Sequence, residues 1–285
     1  MYKNLKMSSD ILFSTVEKFQ GIKPWGRFLD AGTGVHSLKW IQNLTTDSIT
    51  AITADNNMKR SILNDASVVP LRTCDSLIVG NWMEVDDSLG KFDTILADYL
   101  IGAVDGFSPY EQDTIVDKLK NHLTPDGRLY IIGMNPIPDN APPPADVICE
   151  LRKARDACIL LGGHRPYREY PLEWMTRHLK KSNFKVLKTK NFTILHSEES
   201  ALRQLKVAQS KLSLMQHIPL RTGMENYLQD LDQRIKNSIR STDKKKIPLS
   251  FDYVICAEID NGQNEKLQET DETETVFKTT IMTDK

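Results

Sequence analysis

The stretch RFLDAGTGVHS, residues 27–37, decides what fold we expect of this chain. Its first residues are apolar and strand-like and end at Asp30, then Gly32 and Gly34 follow two positions apart, and a helical pattern begins behind them. Glycine lets the chain turn sharply and lets its backbone approach a ligand that a Cβ atom would obstruct. The stretch therefore predicts a strand, a ligand-binding turn and a helix in that order.

Apolar, strand-like stretches alternate with helical patterns through the first two-thirds of the chain. Strands this apolar, separated by helices, indicate a parallel sheet that is covered on both faces. Right-handed crossovers then give a doubly wound, mostly parallel α/β fold, in which ligands bind at the carboxyl ends of the strands. The predicted strands are residues 27–32, 48–55, 75–82, 92–100 and 127–135. One predicted helix follows the first strand and ends near Leu44, and two others cover residues 57–66 and 109–123.

The rest of the chain departs from this alternation. Residues 135–146 contain five prolines and leave the end of the fifth strand, so they form either a stiff connector or a wall over a ligand site. Two helical patterns within residues 197–246 interrupt what is otherwise a closing pair of strands, which predicts a helical insertion before the final strand. The remaining predicted elements are helices at residues 147–162 and 171–184 and strands at residues 184–195 and 249–259.

We expect four parts in the chain. Residues 1–26 carry an amphipathic helix with Ile11, Leu12, Val16 and Phe19 on one side. The last part is rich in acids and poor in apolar residues, which predicts disorder. The four parts are the N-terminal helix (1–26), the main α/β domain (27–196 plus 247–260), the inserted helical subdomain (197–246) and the acidic tail (261–285).

The composition narrows the classes of partner. Lys and Arg (37) nearly balance Asp and Glu (38), so no global field attracts nucleic acid or an anionic membrane. No stretch resembles a signal peptide or reaches the roughly 18 apolar residues of a membrane span. The four cysteines are far apart and no histidine pair has metal-ligand spacing. We expect a cytoplasmic protein with reduced cysteines and no metal, nucleic-acid or membrane partner.

The acids beside the glycine turn indicate the kind of ligand. Asp55 ends the second predicted strand, where a carboxylate can accept hydrogen bonds from ribose hydroxyls. The pattern therefore favours an adenosine-bearing ligand. A dinucleotide site would need a third glycine behind the turn, and this chain has His36 and Ser37 there. An acid at the turn, Asp30, suits a cationic amino group better than a pyrophosphate.

These residues resemble the nucleotide-binding half of Rossmann-like (class I) methyltransferases that depend on S-adenosyl-L-methionine. LDAGTGVHS matches the first motif of that family except at His36, where a third glycine is usual. The resemblance covers residues 25–135 well and residues 136–259 only in architecture. It implies seven strands with the last one antiparallel, and it makes residues 27–196 plus 247–260 the methyltransferase domain.

The resemblance also assigns roles at the cofactor site. It places Asp30, Gly32 and Gly34 against the methionine part of the cofactor. His36, which departs from the family pattern, either forms a hydrogen bond near the carboxylate end of the cofactor or packs at the first helical turn. The resemblance places Asp55, with Asn56 beside it, at the ribose. The residues after the third strand, Asn81 and Trp82, would meet the adenine, although Asn81 stands where the family often has Asp.

Catalytic candidates come from the fourth strand and from one loop. ILADYL resembles the motif next to the transferred methyl group, so Asp98 would also contact the cofactor and could orient or deprotonate the acceptor, while Tyr99 lines the site. His164 lies on a glycine-led loop with two arginines that could reach a carboxylate substrate. The cofactor supplies an activated methyl group, which agrees with the lack of a catalytic triad in the sequence.

The most favoured hypothesis is a methyltransferase that uses S-adenosyl-L-methionine and acts on an N, O or S atom of a small molecule, with a protein acceptor less favoured. Two alternatives stay open. One is an NAD(P)-dependent oxidoreductase, against which Asp30 and Ser37 stand. The other is a non-catalytic protein of the same fold that binds a partner through residues 197–246.

Overall fold

The computed structural model describes residues 10–262, and within them seven strands form one sheet in the order β3-β2-β1-β4-β5-β7-β6. Strands β1 to β5 pair in parallel, and β7 runs antiparallel to both of its neighbours. This confirms the predicted doubly wound sheet with its last strand antiparallel. The strands are β1 (Arg27–Asp30), β2 (Ser48–Thr53), β3 (Ser76–Val79), β4 (Phe92–Asp98), β5 (Leu123–Met134), β6 (Phe184–Ser197) and β7 (Lys246–Ile259).

The central strands are buried on both faces because their side chains alternate between two apolar cores. Phe28 of β1 and Leu96 of β4 belong to one core, and their neighbours Leu29 and Ile95 belong to the other. All four are fully buried. This is the reason that these strands have continuous apolar sequences rather than an alternating pattern.

Nine helices lie within the described residues. They are α1 (Ile11–Gln20), α2 (Val35–Ile41), α3 (Asn56–Asn64), α4 (Leu100–Phe107), α5 (Ile115–Asn121), α6 (Asp146–Leu161), α7 (Leu172–Lys181), α8 (Glu198–Leu212) and α9 (Ile218–Arg240). The prediction for residues 92–100 and 109–123 was wrong in part. The strand ends at Asp98, the apolar α4 follows it, and only α5 remains of the helix predicted at 109–123.

Asp10 is the N-cap of helix α1, and its carboxylate accepts hydrogen bonds from the N–H groups of Leu12 and Phe13. Phe13 and Val16 are buried, but Ile11 is 59% exposed, which corrects the prediction that it shares their face. Ile11 is the first residue after the cap and lies beyond the edge of the core. Residues 1–9 of the predicted N-terminal part lie outside the described residues.

In the sequence, helices α8 and α9 follow β6 and precede β7. The two helices pack against α6 rather than around a core of their own. Leu228, Leu231, Ile235 and Ile239 of α9 recur every three or four residues and are fully buried. They share one apolar core with buried side chains of α6 and α8. The division of the chain into domains stays a prediction, and residues 263–285 of the predicted tail lie outside the described residues.

Candidate functional site

A cavity of about 270 Å³ opens at the carboxyl ends of the first four strands. The cavity is lined by the predicted residues Gly32, Gly34, Asp55, Asn81 and Asp98. The two glycines follow β1, Asp55 follows β2, Asn81 follows β3, and Asp98 ends β4. Parallel strands bring their carboxyl ends to one edge of the sheet, so residues far apart in sequence meet there. The cavity is therefore where a doubly wound fold binds its ligand.

The two glycines of the turn do different things. A Cβ atom on Gly32 would lie 3.2 Å from Leu100 Cδ1, so a side chain there would press on the first residue of α4. A Cβ atom on Gly34 would meet no protein atom within 4 Å, and the φ of −132° at Gly34 is open to any residue. Nothing in the protein itself requires glycine at position 34, and the space that a side chain would fill belongs to the cavity.

Asp30, which was predicted to contact the methionine part of the cofactor, is buried beneath the turn and does not line the cavity. Its side chain is fully buried, and Ser37 Oγ donates a hydrogen bond of 2.8 Å to Oδ2. Among the described residues, Oδ1 has no hydrogen-bond partner. Burial raises the pKa of Asp30 to about 6 despite the bond from Ser37.

Asp55 lines the cavity and also caps α3. Its Oδ1 accepts a hydrogen bond of 2.8 Å from the N–H of Asn57. Capping occupies one carboxylate oxygen, and a ligand can use the other. Its neighbour Asn56, predicted beside the ribose, is exposed and does not line the cavity.

The two residues after β3 are held by bonds within the protein. The Asn81 amide donates to Ser108 Oγ at 2.7 Å, and its oxygen accepts from the N–H of Met83 at 3.1 Å. Trp82 is buried and donates its ring N–H to the Ala31 carbonyl at 2.5 Å. Both side chains line the cavity, so β3 contributes a rigid wall rather than free polar groups.

The end of β4 carries two residues of the site. Tyr99 adopts a left-handed conformation, with φ 49° and ψ 19°, between the strand and α4. Its hydroxyl donates a hydrogen bond of 2.7 Å to Asp252 Oδ1, and burial among acids raises the pKa of Tyr99. Burial, with the nearby carboxylates of Asp30, Asp10 and Asp252, raises the pKa of Asp98 to about 7.

The two histidine candidates have different positions. His36 lines the cavity, and its Nε2 lies 3.0 Å from Asp10 Oδ2 at the start of α1. His164 is exposed, lies outside the cavity lining, and its Nδ1 is 2.9 Å from the carbonyl of Gly162. The structure thus does not bring His164 to the other candidates, because the loop presents Tyr167 to the cavity instead.

One wall of the cavity is formed by residues that were not predicted from the sequence. Ala103, Val104 and Phe107 of α4 line it together with Tyr167. No sequence signal marked them, because the apolar stretch that forms α4 looks like a continuation of the strand before it. The proline-rich residues 135–146 do not line this cavity. Within residues 10–262 no group of His, Cys, Asp or Glu side chains is arranged to hold a metal, and no helix has the length and apolar character to cross a membrane.

Comparison with known proteins gives a likeness in fold only. No family sequence model and no curated protein sequence matches the chain. A Bacillus halodurans protein solved as a candidate methyltransferase is 12% identical, with 86% of this chain and 96% of that chain covered and a TM-score of 0.53. The cyclopropane synthase MmaA2 of Mycobacterium tuberculosis is 15% identical, with 89% and 87% covered and a TM-score of 0.51. The YcgJ protein of Bacillus subtilis is 14% identical, with 85% and 95% covered and a TM-score of 0.50.

These likenesses extend over at least 85% of this chain, so they include most of its sheet. The antiparallel β7 between β5 and β6 distinguishes this sheet from an all-parallel dinucleotide-binding sheet. The chain thus has the fold of the class I methyltransferases that depend on S-adenosylmethionine.

Proposed function

We propose that this protein is a methyltransferase that uses S-adenosylmethionine to methylate an N, O or S atom of a small molecule. The observation that supports it most is the convergence of the glycine turn, Asp55, Asn81 and Asp98 on one cavity. These residues come from the ends of four separate strands. A likeness in fold does not by itself establish an activity, so the proposal depends on this site.

The residues present fit the cofactor. The open space at Gly34 leaves room for a ligand against the turn, and the second oxygen of Asp55 is available for a sugar hydroxyl. The rings of Trp82 and Phe107 supply apolar walls for a base. When bound, S-adenosylmethionine supplies a methyl group activated on a sulfonium, so the protein needs no nucleophile of its own.

The chain's own contribution is to position the acceptor and exclude water. Asp98 lies at the end of β4, where its carboxylate can orient an acceptor or take its proton. The apolar α4 side chains Ala103, Val104 and Phe107 keep that part of the cavity dry. His164 has no part in this proposal, because its side chain lies away from the cavity.

Binding measurements test the cofactor assignment directly. We expect isothermal titration calorimetry to detect binding of S-adenosylhomocysteine and not of NADH. Asp55→Asn keeps a capping oxygen for α3, so it should leave thermal stability unchanged and weaken S-adenosylhomocysteine binding about tenfold, which is about 1.4 kcal/mol. Asp55→Ala should weaken binding similarly and also lower the free energy of unfolding by about 1 kcal/mol.

The controls separate the alternatives. NADH binding without S-adenosylhomocysteine binding would favour the oxidoreductase. Product formation is followed by mass spectrometry with isotopically labelled S-adenosylmethionine. If the cofactor binds but no acceptor is methylated, the non-catalytic protein is favoured. If both Asp55 variants bind S-adenosylhomocysteine as the natural protein does, the ribose assignment is wrong.

A further inference from the structure

Three carboxylates lie near Tyr99, and one of the three, Asp98, lines the cavity, whereas Asp252 and Glu169 do not. Asp98 precedes Tyr99 in the chain, and Asp252 accepts the hydrogen bond from the Tyr99 hydroxyl. Glu169 is the third, and its charge contributes to the raised pKa of Tyr99. The three acids come from β4, β7 and the loop before α7, so the fold and not local sequence brings them together.

Glu169 is held in place from both sides. The N–H of the preceding Arg168 donates to the carbonyl of Gly102 in α4 at 3.1 Å. The carbonyl of the following Tyr170 accepts a hydrogen bond of 2.9 Å from the Tyr253 hydroxyl. The Glu169 carboxylate lies against Gly102, in space that any side chain at that position would occupy. Its position is therefore built into the packing of α4 and β7.

Among residues 10–262, no lysine, arginine or histidine forms an ion pair with Asp98, Asp252 or Glu169. Asp252 does accept the hydrogen bond from Tyr99, and the Met134 backbone lies within hydrogen-bonding reach of Glu169. Arg155 acts on Glu169 only at longer range and is itself bonded to Asp156 at 2.8 Å.

Asp98 is the acid that a ligand can reach. Within the described part of the chain, its carboxylate forms no hydrogen bond, although it is partly buried and lines the cavity. Burial raises the pKa of both Asp98 and Glu169 to about 7, and the pKa of Asp252 is raised as well. Acids kept together in this way cost stability unless a positive charge arrives to compensate them.

We propose that the methyl acceptor is a cationic amine whose ammonium group pairs with Asp98, in the negative field of Glu169 and Asp252. The inference rests on the proposed function, because the same cavity must also hold the cofactor. A sulfonium and an ammonium bring two positive charges into one cavity, and these three carboxylates offset both. A carboxylate acceptor would be repelled by the same acids. The rings of Tyr99 and Tyr167 suit the carbon skeleton of the amine and can face its charge.

Methyl transfer to the amine releases one proton from the ammonium group to the protein or to water. The ammonium first gives a proton to a carboxylate, for which Asp98 is placed, and its nitrogen then holds a free electron pair. That pair forms the new N–C bond to the methyl carbon as the C–S bond breaks, and the electrons of the broken bond stay on sulfur. The products are a methylated ammonium and a neutral thioether.

Matched probes on one carbon skeleton test the inference. We use 2-phenylethylamine, 2-phenylethanol and 3-phenylpropionate, and the same three head groups on a hexyl chain, titrated into full-length protein saturated with S-adenosylhomocysteine. Calorimetry should show the amines binding at least about tenfold more tightly than the matched alcohols, and no binding of the carboxylates. When S-adenosylmethionine replaces S-adenosylhomocysteine, mass spectrometry should show methylated amine.

Variants then separate the charge from the fold. Glu169→Gln keeps the shape of the side chain and should weaken amine binding about tenfold with no change in the affinity for S-adenosylhomocysteine. Asp252→Asn keeps an acceptor for the Tyr99 hydroxyl and should act in the same direction, which covers the case in which Glu169→Gln fails to fold. Glu173→Gln, at an exposed acid nearby, should change neither affinity.

Failure of the inference is distinct from failure of the proposed function. If S-adenosylhomocysteine binds but no amine exceeds its matched alcohol, or a carboxylate binds best, the amine assignment is overturned and the cofactor assignment stands. The same holds if Glu169→Gln and Asp252→Asn both bind the amines as the natural protein does. If S-adenosylhomocysteine itself does not bind, the proposed function fails and this inference fails with it.

Discussion

Replacing Asp98 by Asn should make the ligand-free protein more stable, and the gain should depend on pH. The folded structure raises the pKa of this carboxyl from 3.8 to about 7, mainly by burial and then by the charges of Asp30, Asp10 and Asp252. Ionised Asp98 is therefore a cost to the folded state. Asn has nearly the same shape and carries no charge, so the variant removes the cost and keeps the packing.

The magnitude follows from linkage. The pKa of Asp98 is higher in the folded state than in the unfolded chain, so stability is full below pH 3.8 and is lost as pH rises through about 7. A shift of about 3 units at about 1.36 kcal/mol per unit gives about 4 kcal/mol. Because the side chain is only partly buried, solvent screening reduces this, and we expect Asp98→Asn to gain about 2–4 kcal/mol at pH values above about 7.

Urea denaturation of both proteins without ligand, at several pH values between about 4 and about 8, measures this difference. The stability difference should be small near pH 4 and should grow until it levels off above about pH 7. An Asn variant no more stable than the natural protein near pH 8, or a difference that does not change with pH, would show that Asp98 is well solvated. The variant should at the same time lower turnover much more than cofactor affinity, because the Asp98 carboxylate is proposed to act on the acceptor.

Two further predictions concern the walls of the site and the helical layer. Trp82→Phe should lower the free energy of unfolding by about 1–3 kcal/mol in urea denaturation, because the buried Ala31 carbonyl loses its donor; an unchanged value would mean that water replaces the indole N–H. Leu231→Ala in α9 should cost about 2–5 kcal/mol, since the side chain is fully buried, whereas Leu220→Ala, at an exposed position of the same helix, should stay within about 0.5 kcal/mol. Equal losses from both leucine variants would contradict the packing of α9 on α6.

Sequence reasoning predicted that the glycine turn, Asp55 and Asp98 lie close together, and they line one cavity because that arrangement follows from topology. Once the strands ending near Asp30, Asp55 and Asp98 are recognised as parallel neighbours, the residues after them must lie along one edge of the sheet. Within the first turn, Gly32 and Gly34 line the cavity as predicted, whereas Asp30 is buried beneath it. Asn56 was predicted by adjacency alone, and one position along the start of a helix is enough to turn a side chain to solvent.

The side of the cavity formed by α4 and Tyr99 could not be predicted in the same way. Helix α4 has almost no polar residues, so no periodicity separates it from β4, and the turn between them depends on the left-handed backbone of Tyr99. The bond from Tyr99 to Asp252 joins residues 153 positions apart in the chain. Glu169 reaches the same place only because its neighbours bond to α4 and β7. Such meetings are products of tertiary packing, on which a local pattern carries no information.

The shared core of α6, α8 and α9 limits how residues 197–246 could have been acquired or could be removed. Deleting this segment would strip the cover from buried α6 side chains such as Ile148, Leu151 and Cys158 and leave an apolar strip facing water. Residues 197–246 are therefore an integral part of the packed structure and not a module that could fold separately from α6. Any partner recruited by this segment has to bind the outer surface of the helices, where residues such as Ile218 are exposed.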